Sequence, residues 1–325
     1  MANHKRKERR LIQPSTIAMF NEARRTEGYS LKDWLHGYFY GRWPYLYIGV
    51  GIGEHPAARR WGPALARLSR WWGRLLGRDQ AAPTERAKQG MANTYHGKVV
   101  PIEAAKQLVL VNEPVRLLGL EQIIPYPKAH DIILKNPDHI IVMDCPCRAA
   151  RAEPCLPMDV CLVVGEPFAS FVAEHHPDKT RWISQQDAVE ILQAEEARGH
   201  VHHAFFKDAM LNRFYAICNC CSCCCGAMQS QRNGTPMLAS SGFVCQVDAG
   251  LCIGCETCVP VCQFEALSLD ADFLMAVDAV TCMGCGVCVS HCDQEALTLV
   301  RAPEKGEPLE IFALMEQAAQ SADRR

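Results

Sequence analysis

Several features of membrane-spanning and exported proteins are missing from this chain of 325 residues. The longest nonpolar run, YLYIGVGIG at residues 45–53, is much shorter than the roughly 20 residues that a helix needs to cross a bilayer. The charged start MANHKRKERR is followed by a polar stretch, whereas an export signal continues with an apolar segment. We therefore expect a cytoplasmic protein without a transmembrane span.

Two kinds of binding motif are missing as well. No glycine-rich nucleotide or flavin fingerprint follows a predicted strand, so the sequence does not support direct oxidation of NADH. No recognised nucleic-acid-binding motif accompanies the basic residues, and we expect no nucleic-acid partner. Hydrophobic residues make up 49% and charged residues 22% of the chain, which argues against a wholly disordered or fibrous protein.

The net charge of −2 hides a separation of charge along the chain. Residues 1–90 hold 17 Lys and Arg against 7 Asp and Glu, a balance of +10, whereas the remainder holds 17 against 29 and carries −12. Residues 64–78, ALARLSRWWGRLLGR, predict an amphipathic helix with leucines and a tryptophan near one face and arginines mainly on the other. Such a helix suits an anionic membrane surface, an acidic partner, or packing within the protein itself.

Composition divides the chain into four segments. Residues 1–92 contain five of the six tryptophans and no cysteine, 93–240 contain ten cysteines, 245–303 contain nine, and 304–325 form a tail with a predicted helix at about 308–320. We predict an α+β protein in which a basic helical segment precedes a small α/β middle domain. The middle segment predicts helices at about 102–109, 127–135, 166–175 and 185–198, and strands at 139–144, 160–164, 200–206 and 213–218.

Nineteen cysteines are far more than a chain of this length needs. A sequence this long can bury an ample core without disulfides, and the cytosol keeps thiols reduced. Clustered thiols in that compartment are typical of metal ligands or redox centres. The spacing of the cysteines therefore carries most of the functional information.

The C-terminal cysteines belong to an internal repeat. The segment LCIGCETCVPVCQFEALSL from Leu251 recurs as TCMGCGVCVSHCDQEALTL from Thr281, and each copy has the spacing C-x2-C-x2-C-x3-C. Three thiolates at this spacing can surround three irons of a cubane, while the fourth lies where the chain turns away. Zinc is the alternative, but zinc modules usually pair two short CxxC arms across a longer spacer.

This repeat resembles bacterial two-cluster 4Fe-4S ferredoxins over about 60 residues. The resemblance implies a βαββαβ pseudo-repeat and two 4Fe-4S clusters that exchange their fourth ligands. The implied ligand sets are Cys252, Cys255, Cys258 and Cys292 for one cluster, and Cys282, Cys285, Cys288 and Cys262 for the other. The family has a proline after each fourth cysteine, whereas this chain has Gln263 and Asp293. That departure affects the rigidity of the turn and the reduction potentials. Cys245 lies outside both patterns and is expected to be a plain thiol.

Ten further cysteines follow predicted strands of the middle segment. They are Cys145, Cys147, Cys155 and Cys161 in one group, and Cys218, Cys220, Cys221, Cys223, Cys224 and Cys225 in the other. Adjacent cysteines in a strand point to opposite faces, so the second run more easily supplies two sites than one. The competing interpretations are further iron-sulfur clusters, zinc or another soft metal, a dithiol redox centre, and simple packing of small side chains.

The two middle groups resemble the CxC…C…C and CNCC-x-CCC segments of a poorly characterised group of bacterial 4Fe-4S ferredoxin-type proteins. That resemblance implies electron transfer without naming a substrate. Five histidines flank the predicted helix at 185–198, namely His175, His176, His200, His202 and His203, and they suit either metal binding and proton relay or plain burial.

The sequence thus favours an iron-sulfur electron carrier or oxidoreductase subunit. It is expected to exchange electrons with redox protein partners, which the basic N-terminal segment could help it reach at the inner face of a membrane. A reductase is the alternative, in which the middle cysteines form a metal or dithiol active centre fed by the ferredoxin part. A non-catalytic metal or redox sensor is the third interpretation.

Overall fold

A computed structural model describes residues 12–75 and 85–323 of the chain. Its helices are α1 Pro14–Ala23, α2 Leu31–Arg42, α3 Pro44–Gly51, α4 Pro56–Leu75, α5 Glu85–Thr94, α6 Ile102–Leu110, α7 Pro146–Ala149, α8 Phe168–His175, α9 Gln185–Glu196, α10 Gly226–Arg232, α11 Val287–Ser290 and α12 Ile311–Asp323. Its strands are β1 Tyr95–Val99, β2 Val115–Leu117, β3 Ile132–Asp144, β4 Asp159–Glu166, β5 Thr180–Ile183, β6 Val201–Lys207, β7 Arg213–Cys220, β8 Leu238–Ala239, β9 Phe243–Val247, β10 Leu267–Leu269, β11 Met275–Val277 and β12 Leu297–Arg301. A short 3₁₀ turn, Pro303–Lys305, follows β12.

One mixed sheet organises the middle of the chain. Its order is β2-β3-β4-β7-β6-β1-β8, and β5 pairs with β3 outside this path. The central pairs β3–β4, β4–β7 and β6–β7 are antiparallel, and β4 and β6 are buried along nearly their whole length. Helices α6 and α9 pack on each other and on the sheet, and α8 packs on β3 and β4. The fold is therefore a mixture of helices and sheet, as expected.

Local sequence signals predict most of these elements correctly. Ser184 begins α9 with a capping box, in which its hydroxyl accepts from the Asp187 amide while the Asp187 carboxylate accepts from the Ser184 amide. The predicted helices at 102–109 and 166–175 are confirmed as α6 and α8, and the four predicted strands are confirmed as parts of β3, β4, β6 and β7. The helix predicted in the tail is confirmed as α12.

The helix predicted at 127–135 is wrong. Residues 132–134 are instead the first part of β3 and pair in antiparallel register with β2. Ile132 and Leu134 are fully buried in this pairing, which favours a strand because the apolar side chains pack into the core. Asn136 then takes a left-handed backbone conformation with φ of 45°, next to a register irregularity, and the strand continues to Asp144.

The N-terminal helices pack on the middle of the chain and leave apolar side chains exposed. Helices α1 and α2 contact α8, and Met19 and Tyr40 are buried in the main core. The amphipathic helix predicted at 64–78 is helical as far as Leu75, and residues 76–78 lie outside the described residues. Among the residues that the structure describes, no helix has the length and apolar character needed to cross a bilayer.

The C-terminal segment forms two small antiparallel pairs, β9–β12 and β10–β11. Helix α11 lies in the second copy of the repeat, whereas the equivalent residues of the first copy, 257–260, form turns rather than a helix. Helix α12 returns to the middle of the chain and packs on α6 and β2. The four segment boundaries expected from composition remain predictions.

Candidate metal centres

The structure brings four cysteines of the C-terminal repeat together around one small cavity. Cys262 comes from the first copy of the repeat, and Cys282, Cys285 and Cys288 come from the second. The cavity has a volume of about 20 Å³, Cys245 of β9 also lines it, and the remaining lining consists of apolar side chains and glycines. Four sulfur atoms facing an apolar space match the soft ligand set of an iron-sulfur cluster.

The other four cysteines of the repeat range from buried Cys258, through half-buried Cys252 and Cys292, to exposed Cys255. Burial raises the pKa of the Cys258 thiol to about 11. The negative charges of the nearby Cys288, Cys292 and Cys255 act in the same direction, with smaller effects. Cys252 packs on the same core as Cys258. Cys255 is exposed, and the Thr257 hydroxyl donates to its sulfur at 3.3 Å, which lowers the pKa of this thiol.

Two glycines hold the loops that carry the first cysteines of each copy. Gly254 and Gly284 have φ of +64° and +63°. A Cβ atom would lie 2.1 Å from the Phe273 carbonyl oxygen at Gly254 and 2.2 Å from the Phe243 carbonyl oxygen at Gly284. Only glycine fits both the backbone conformation and the space, so the tight cysteine loops depend on these two positions.

Two backbone amides donate hydrogen bonds to cysteine sulfur atoms of the repeat. The Ala266 amide donates to Cys262 Sγ at 3.3 Å, and the Cys245 amide donates to Cys282 Sγ at 3.5 Å. Such N–H···S contacts stabilise thiolates and help to set cluster potentials. Cys245 itself is buried, with its Sγ 3.6 Å from Cys288 Sγ. The pairing of β9 with β12 places Cys245 beside the second copy of the repeat. The spacing of the cysteines in the sequence does not predict this position.

The ten middle cysteines form two groups that differ from their grouping in the sequence. The first, which we call the four-thiol site, consists of Cys155, Cys221, Cys223 and Cys224, whose sulfur atoms all lie within 4.8 Å of one another. Cys155 Sγ is 3.1 Å from Cys223 Sγ, and Cys223 Sγ is 3.7 Å from Cys224 Sγ. Cys155 therefore lies next to cysteines of the second run in the sequence, Cys218 to Cys225, rather than next to Cys145, Cys147 and Cys161.

The four-thiol site lies at the surface end of this region. Cys223 is exposed and Cys155 is half-buried, whereas Cys221 and Cys224 are buried. Arg151 fixes the loop from outside, because its Nη2 donates to the Cys224 carbonyl at 2.9 Å and to Gln229 Oε1 at 2.6 Å. Sulfur ligands of one tetrahedral zinc ion lie about 3.8 Å apart, so these distances suit a single soft ion as well as the start of a cluster site.

The other six middle cysteines, which we call the six-thiol ring, surround a second cavity. They are Cys145, Cys147, Cys161, Cys218, Cys220 and Cys225, and Cys221 and Cys224 of the four-thiol site line the same cavity. The cavity has a volume of about 80 Å³ and an almost entirely apolar lining. Thiol hydrogen bonds from Cys161 and Cys220 lower the pKa of Cys218 to about 6, whereas the hydrogen bond with Cys147 raises that of Cys145 to about 12.

A buried ion pair lies between these two groups. Arg148 Nη2 donates to Glu195 Oε2 at 2.7 Å and to the Asn219 carbonyl at 3.2 Å. The Arg148 guanidinium is electrostatically coupled to both Cys145 and Cys221, one from each group. Arg148 is 1% exposed, so its ion pair lies in the interior rather than at the surface.

Tyrosines line part of the second cavity, and a lysine packs against two of their rings. The hydroxyls of Tyr40 and Tyr215 are 2.8 Å apart, and Tyr95 also lines the cavity. Lys207 Nζ lies 4.9 Å from the Tyr40 ring centroid and 4.6 Å from that of Tyr95. Burial lowers the pKa of Lys207 to about 8, so this side chain can hold or release a proton near neutral pH.

The histidines contact protein groups rather than the thiol sites. His175 and His176 bind the N-terminal helices through Thr16 Oγ1 and the Gly41 carbonyl, each at 2.9 Å. His200 contacts Glu195 at 2.7 Å and His202 contacts Asn219 at 2.6 Å. His203 is fully buried, and neither ring nitrogen has a hydrogen-bond partner. These contacts favour the interpretation of the histidines as buried structural residues.

Comparison with known proteins supports the C-terminal assignment. A family profile described as a 4Fe-4S dicluster domain matches residues 251–297. A search of curated proteins gave no match to the chain. The protein therefore carries a C-terminal ferredoxin domain that binds 4Fe-4S cluster, which supports a role in iron-sulfur electron transfer. The cysteine-rich middle segment is consistent with this role.

Proposed function

We propose that the protein is an electron carrier with two 4Fe-4S clusters in its ferredoxin domain and further cysteine-bound metal centres in its middle domain. One cluster takes Cys252, Cys255, Cys258 and Cys292, and the other takes Cys282, Cys285, Cys288 and Cys262. The middle domain exchanges electrons with the second cluster. A 4Fe-4S cluster, when bound, takes up and returns one electron.

The hydrogen bonds of the Gln263 side chain are the observation that supports this proposal. Gln263 directly follows Cys262, and its side-chain oxygen accepts from the Ser222 amide at 2.8 Å while its side-chain nitrogen donates to the Gly199 carbonyl at 2.9 Å. Ser222 stands between Cys221 and Cys223 of the four-thiol site. One side chain thus links a proposed cluster ligand to the neighbouring thiol site through a single hydrogen bond.

This proposal explains why the chain has Gln263 where the ferredoxin pattern has a proline. A proline at position 263 has no side-chain donor or acceptor and could not hydrogen-bond to Ser222 or Gly199. The chain places glutamine there, at the contact between its two cysteine-rich regions. The same surface includes the ion pair between Arg232 and Glu265 at 2.8 Å. The ferredoxin domain is therefore held against the middle domain, as intramolecular electron transfer requires.

The residues around the cysteine sulfur atoms of the ferredoxin domain exclude water and stabilise negative charge on the sulfur atoms. Phe264 and Met283 pack against the main core and shield the side of Cys262 and Cys285 from solvent. The Ala266 and Cys245 amides donate to the sulfurs of Cys262 and Cys282, which favours the more negative state of the site. These contacts tune a potential and perform no bond chemistry.

The N-terminal segment is proposed to bring the protein to a redox partner at an anionic membrane surface. Helix α2 exposes Leu31, Leu35 and Phe39, which follow one another at intervals of four residues and share one face. Trp43 and Val50 extend the exposed apolar surface into α3. The segment also has the charge balance of +10, which an anionic surface attracts.

A reductase is the second candidate function. The cavity beside the six-thiol ring is the observation that favours it, because an apolar space of about 80 Å³ is larger than one water molecule needs. The hydroxyls of Tyr40 and Tyr215, which line the cavity, can supply protons there. A change in one EPR signal on addition of cyanide, with the others unaffected, would favour this function over simple electron transfer.

Metal analysis tests the proposed function. Iron, zinc and acid-labile sulfide are measured in full-length protein purified without oxygen, together with EPR spectra of the reduced protein. We expect about eight irons from the ferredoxin domain and at least about twelve in total. Zinc in the middle domain would instead favour a metal sensor. Less than about four irons would contradict the proposal.

A pair of cysteine variants provides the matched control. Cys258 and Cys245 are similarly buried and lie in the same domain, but only Cys258 is a proposed ligand. Cys258→Ser should lose about four irons and one cluster signal, whereas Cys245→Ser should keep all of its iron. Equal iron content in the two variants would contradict the ligand assignment.

A further inference from the structure

The sulfur atoms of the four-thiol site lie unusually close together. All four are within 4.8 Å of one another. Cys155 Sγ lies 3.1 Å from Cys223 Sγ, which in turn lies 3.7 Å from Cys224 Sγ. Among the residues that the structure describes, no other three cysteines bring their sulfur atoms this close. The site is therefore more compact than the other cysteine clusters of the protein.

These distances distinguish a single metal ion from a cluster. Four thiolates around one tetrahedral ion, with metal–sulfur bonds of about 2.3 Å, lie about 3.8 Å from one another. In an iron-sulfur cluster the cysteines bind different irons, and the sulfur atoms of such cysteines are roughly 6 Å or more apart. Separations below 4.8 Å for every pair fit the first arrangement and not the second. The eight cysteines of the repeat, for which we propose two cubanes, form no such group in the described part of the chain.

Two of the four cysteines also border the cavity of the six-thiol ring. Cys221 and Cys224 line that cavity, whereas Cys155 and Cys223 are not among its lining residues. The distances nevertheless place Cys221 and Cys224 in one group with Cys155 and Cys223. Cys155 and Cys223 are therefore the two positions at which a substitution affects the four-thiol site without changing the lining of the cavity.

The protein holds three of these thiols on one turn of the backbone. The Cys225 amide donates to the Cys221 carbonyl at 3.0 Å, which closes the turn. Arg151 donates to the Cys224 carbonyl from outside, with its Nη2 at 2.9 Å and its Nε at 3.2 Å. These contacts use backbone atoms and leave the cysteine sulfur atoms available to a metal. Ligands that are fixed in this way are preorganised for one coordination geometry.

The four-thiol site also lies at the contact with the ferredoxin domain. Ser222 stands between Cys221 and Cys223, and its amide donates to the side-chain oxygen of Gln263 at 2.8 Å. Gln263 directly follows Cys262, a proposed cluster ligand. An ion that changes its oxidation state can exchange electrons with a cluster at this position, whereas zinc has no redox chemistry.

We propose that the four-thiol site binds a single iron ion through its four thiolates and forms a one-electron centre without inorganic sulfide. The inference rests on the proposed function, which supplies the reduced clusters of the ferredoxin domain. The ferric ion takes up one electron from such a cluster and becomes ferrous, while the cluster is oxidised by one electron. The four iron–sulfur bonds are kept and no proton is transferred. Because Cys223 is exposed, the ion is close enough to the surface to pass the electron to a redox partner.

The ratio of iron to sulfide provides the first test. Full-length protein from cells grown with added iron is purified without oxygen, and iron, zinc and acid-labile sulfide are measured in wild type, Cys155→Ala and Cys223→Ala. Alanine offers no ligand atom, so each variant should lose about one iron per chain and no sulfide, together with the Mössbauer signal of a single high-spin iron. Loss of about four irons with their sulfide, loss of zinc, or an unchanged iron content would overturn the inference.

Two further variants separate the site from the cavity beside it. Cys221→Ala should lose the same single iron, and a loss of sulfide in this variant would overturn the inference, because Cys221 would then belong to a cluster in the cavity. Cys161→Ala, which changes the same cavity outside the four-thiol site, is the matched control and should keep the single-iron signal. The ferredoxin EPR signals report correct folding of each variant. Their absence from wild-type protein would instead contradict the proposed function.

Discussion

Arg148 and Glu195 form an ion pair in the interior of the protein, with Arg148 Nη2 2.7 Å from Glu195 Oε2 and both side chains 1% exposed. The pair joins the segment that follows Cys147 to the end of α9. The same carboxylate contacts His200 Nδ1 at 2.7 Å. The Arg148 guanidinium is also electrostatically coupled to Cys145 of one middle thiol group and Cys221 of the other.

Removing the carboxylate should destabilise the protein strongly. Glu195→Gln leaves the Arg148 charge buried without its counter-ion, which costs roughly 3–5 kcal/mol in comparable buried pairs. We expect a clear fall in the melting temperature followed by circular dichroism. Arg198→Gln is the control, because Arg198 contacts the same carboxylate from a half-exposed position and its loss should cost less than about 1 kcal/mol. Equal melting temperatures for Glu195→Gln and wild type would contradict the account.

Gln263 should affect electron transfer more than cluster binding. Gln263→Ala removes two hydrogen bonds to the middle domain, worth about 1 kcal/mol each, without changing any cysteine. We expect unchanged iron content and a slower transfer of electrons from the ferredoxin domain, measured by absorbance after flash photoreduction. Asp293→Ala, at the equivalent position of the second copy, is the control and should leave the rate unchanged. Equal rates in the two variants would contradict a role for Gln263.

Lys98 should make stability depend on pH. The side chain is 1% exposed, and its Nζ donates to the Glu307 carbonyl at 2.7 Å. Burial lowers the pKa of Lys98 from 10.5 to about 7. The unfolded chain therefore binds more protons than the folded chain between about pH 7 and 10.5, and the free energy of unfolding rises with pH by up to about 1.4 kcal/mol per unit.

The comparison with Lys98→Met isolates this contribution. The variant has no titrating group at this position, so the melting temperature of wild type relative to the variant should rise between pH 7 and 9. Below pH 7 the difference should be constant, because the lysine is then charged in both states. Parallel curves over the whole range would contradict the buried, deprotonated lysine.

The exposed apolar face of α2 should bind anionic vesicles. Leu35 and Phe39 are 54% and 43% exposed, so replacing both with glutamate disturbs no core packing. The double variant should bind vesicles containing phosphatidylserine at least about 10-fold more weakly, since each apolar side chain contributes about 1.5–3 kcal/mol when buried. Vesicles of phosphatidylcholine alone are the control for charge. Equal co-sedimentation of wild type and variant would contradict a membrane-docking role.

The sequence was most informative where function depends on local spacing. Gly254 and Gly284 occupy the same place in the two copies of the repeat, and both have the left-handed backbone that the cysteine loops require. The helix predicted at 185–198 likewise begins after the capping box of Ser184, which four consecutive residues form. Such features depend on neighbours in the chain and need no knowledge of the fold.

The grouping of the middle cysteines depends on contacts that spacing does not contain. Cys155 lies far in sequence from Cys221 and Cys223, and only the pairing of β4 with β7 brings their segments together. The same reason explains the error at residues 132–134, where pairing with β2 favours a strand. Cys245 likewise comes near Cys288 through the pairing of β9 with β12.

The most direct test of the account follows an electron from one domain to the other. The ferredoxin domain of the intact, oxygen-free protein is photoreduced with a fast flash, and samples are frozen at increasing times for EPR and Mössbauer spectroscopy. We expect the signal of the reduced ferredoxin clusters to appear first and then to decay as a second iron centre, lost in Cys155→Ser or Cys161→Ser, becomes reduced. A ferredoxin signal that persists while the middle domain contains no iron, or iron whose state never changes, would contradict the account.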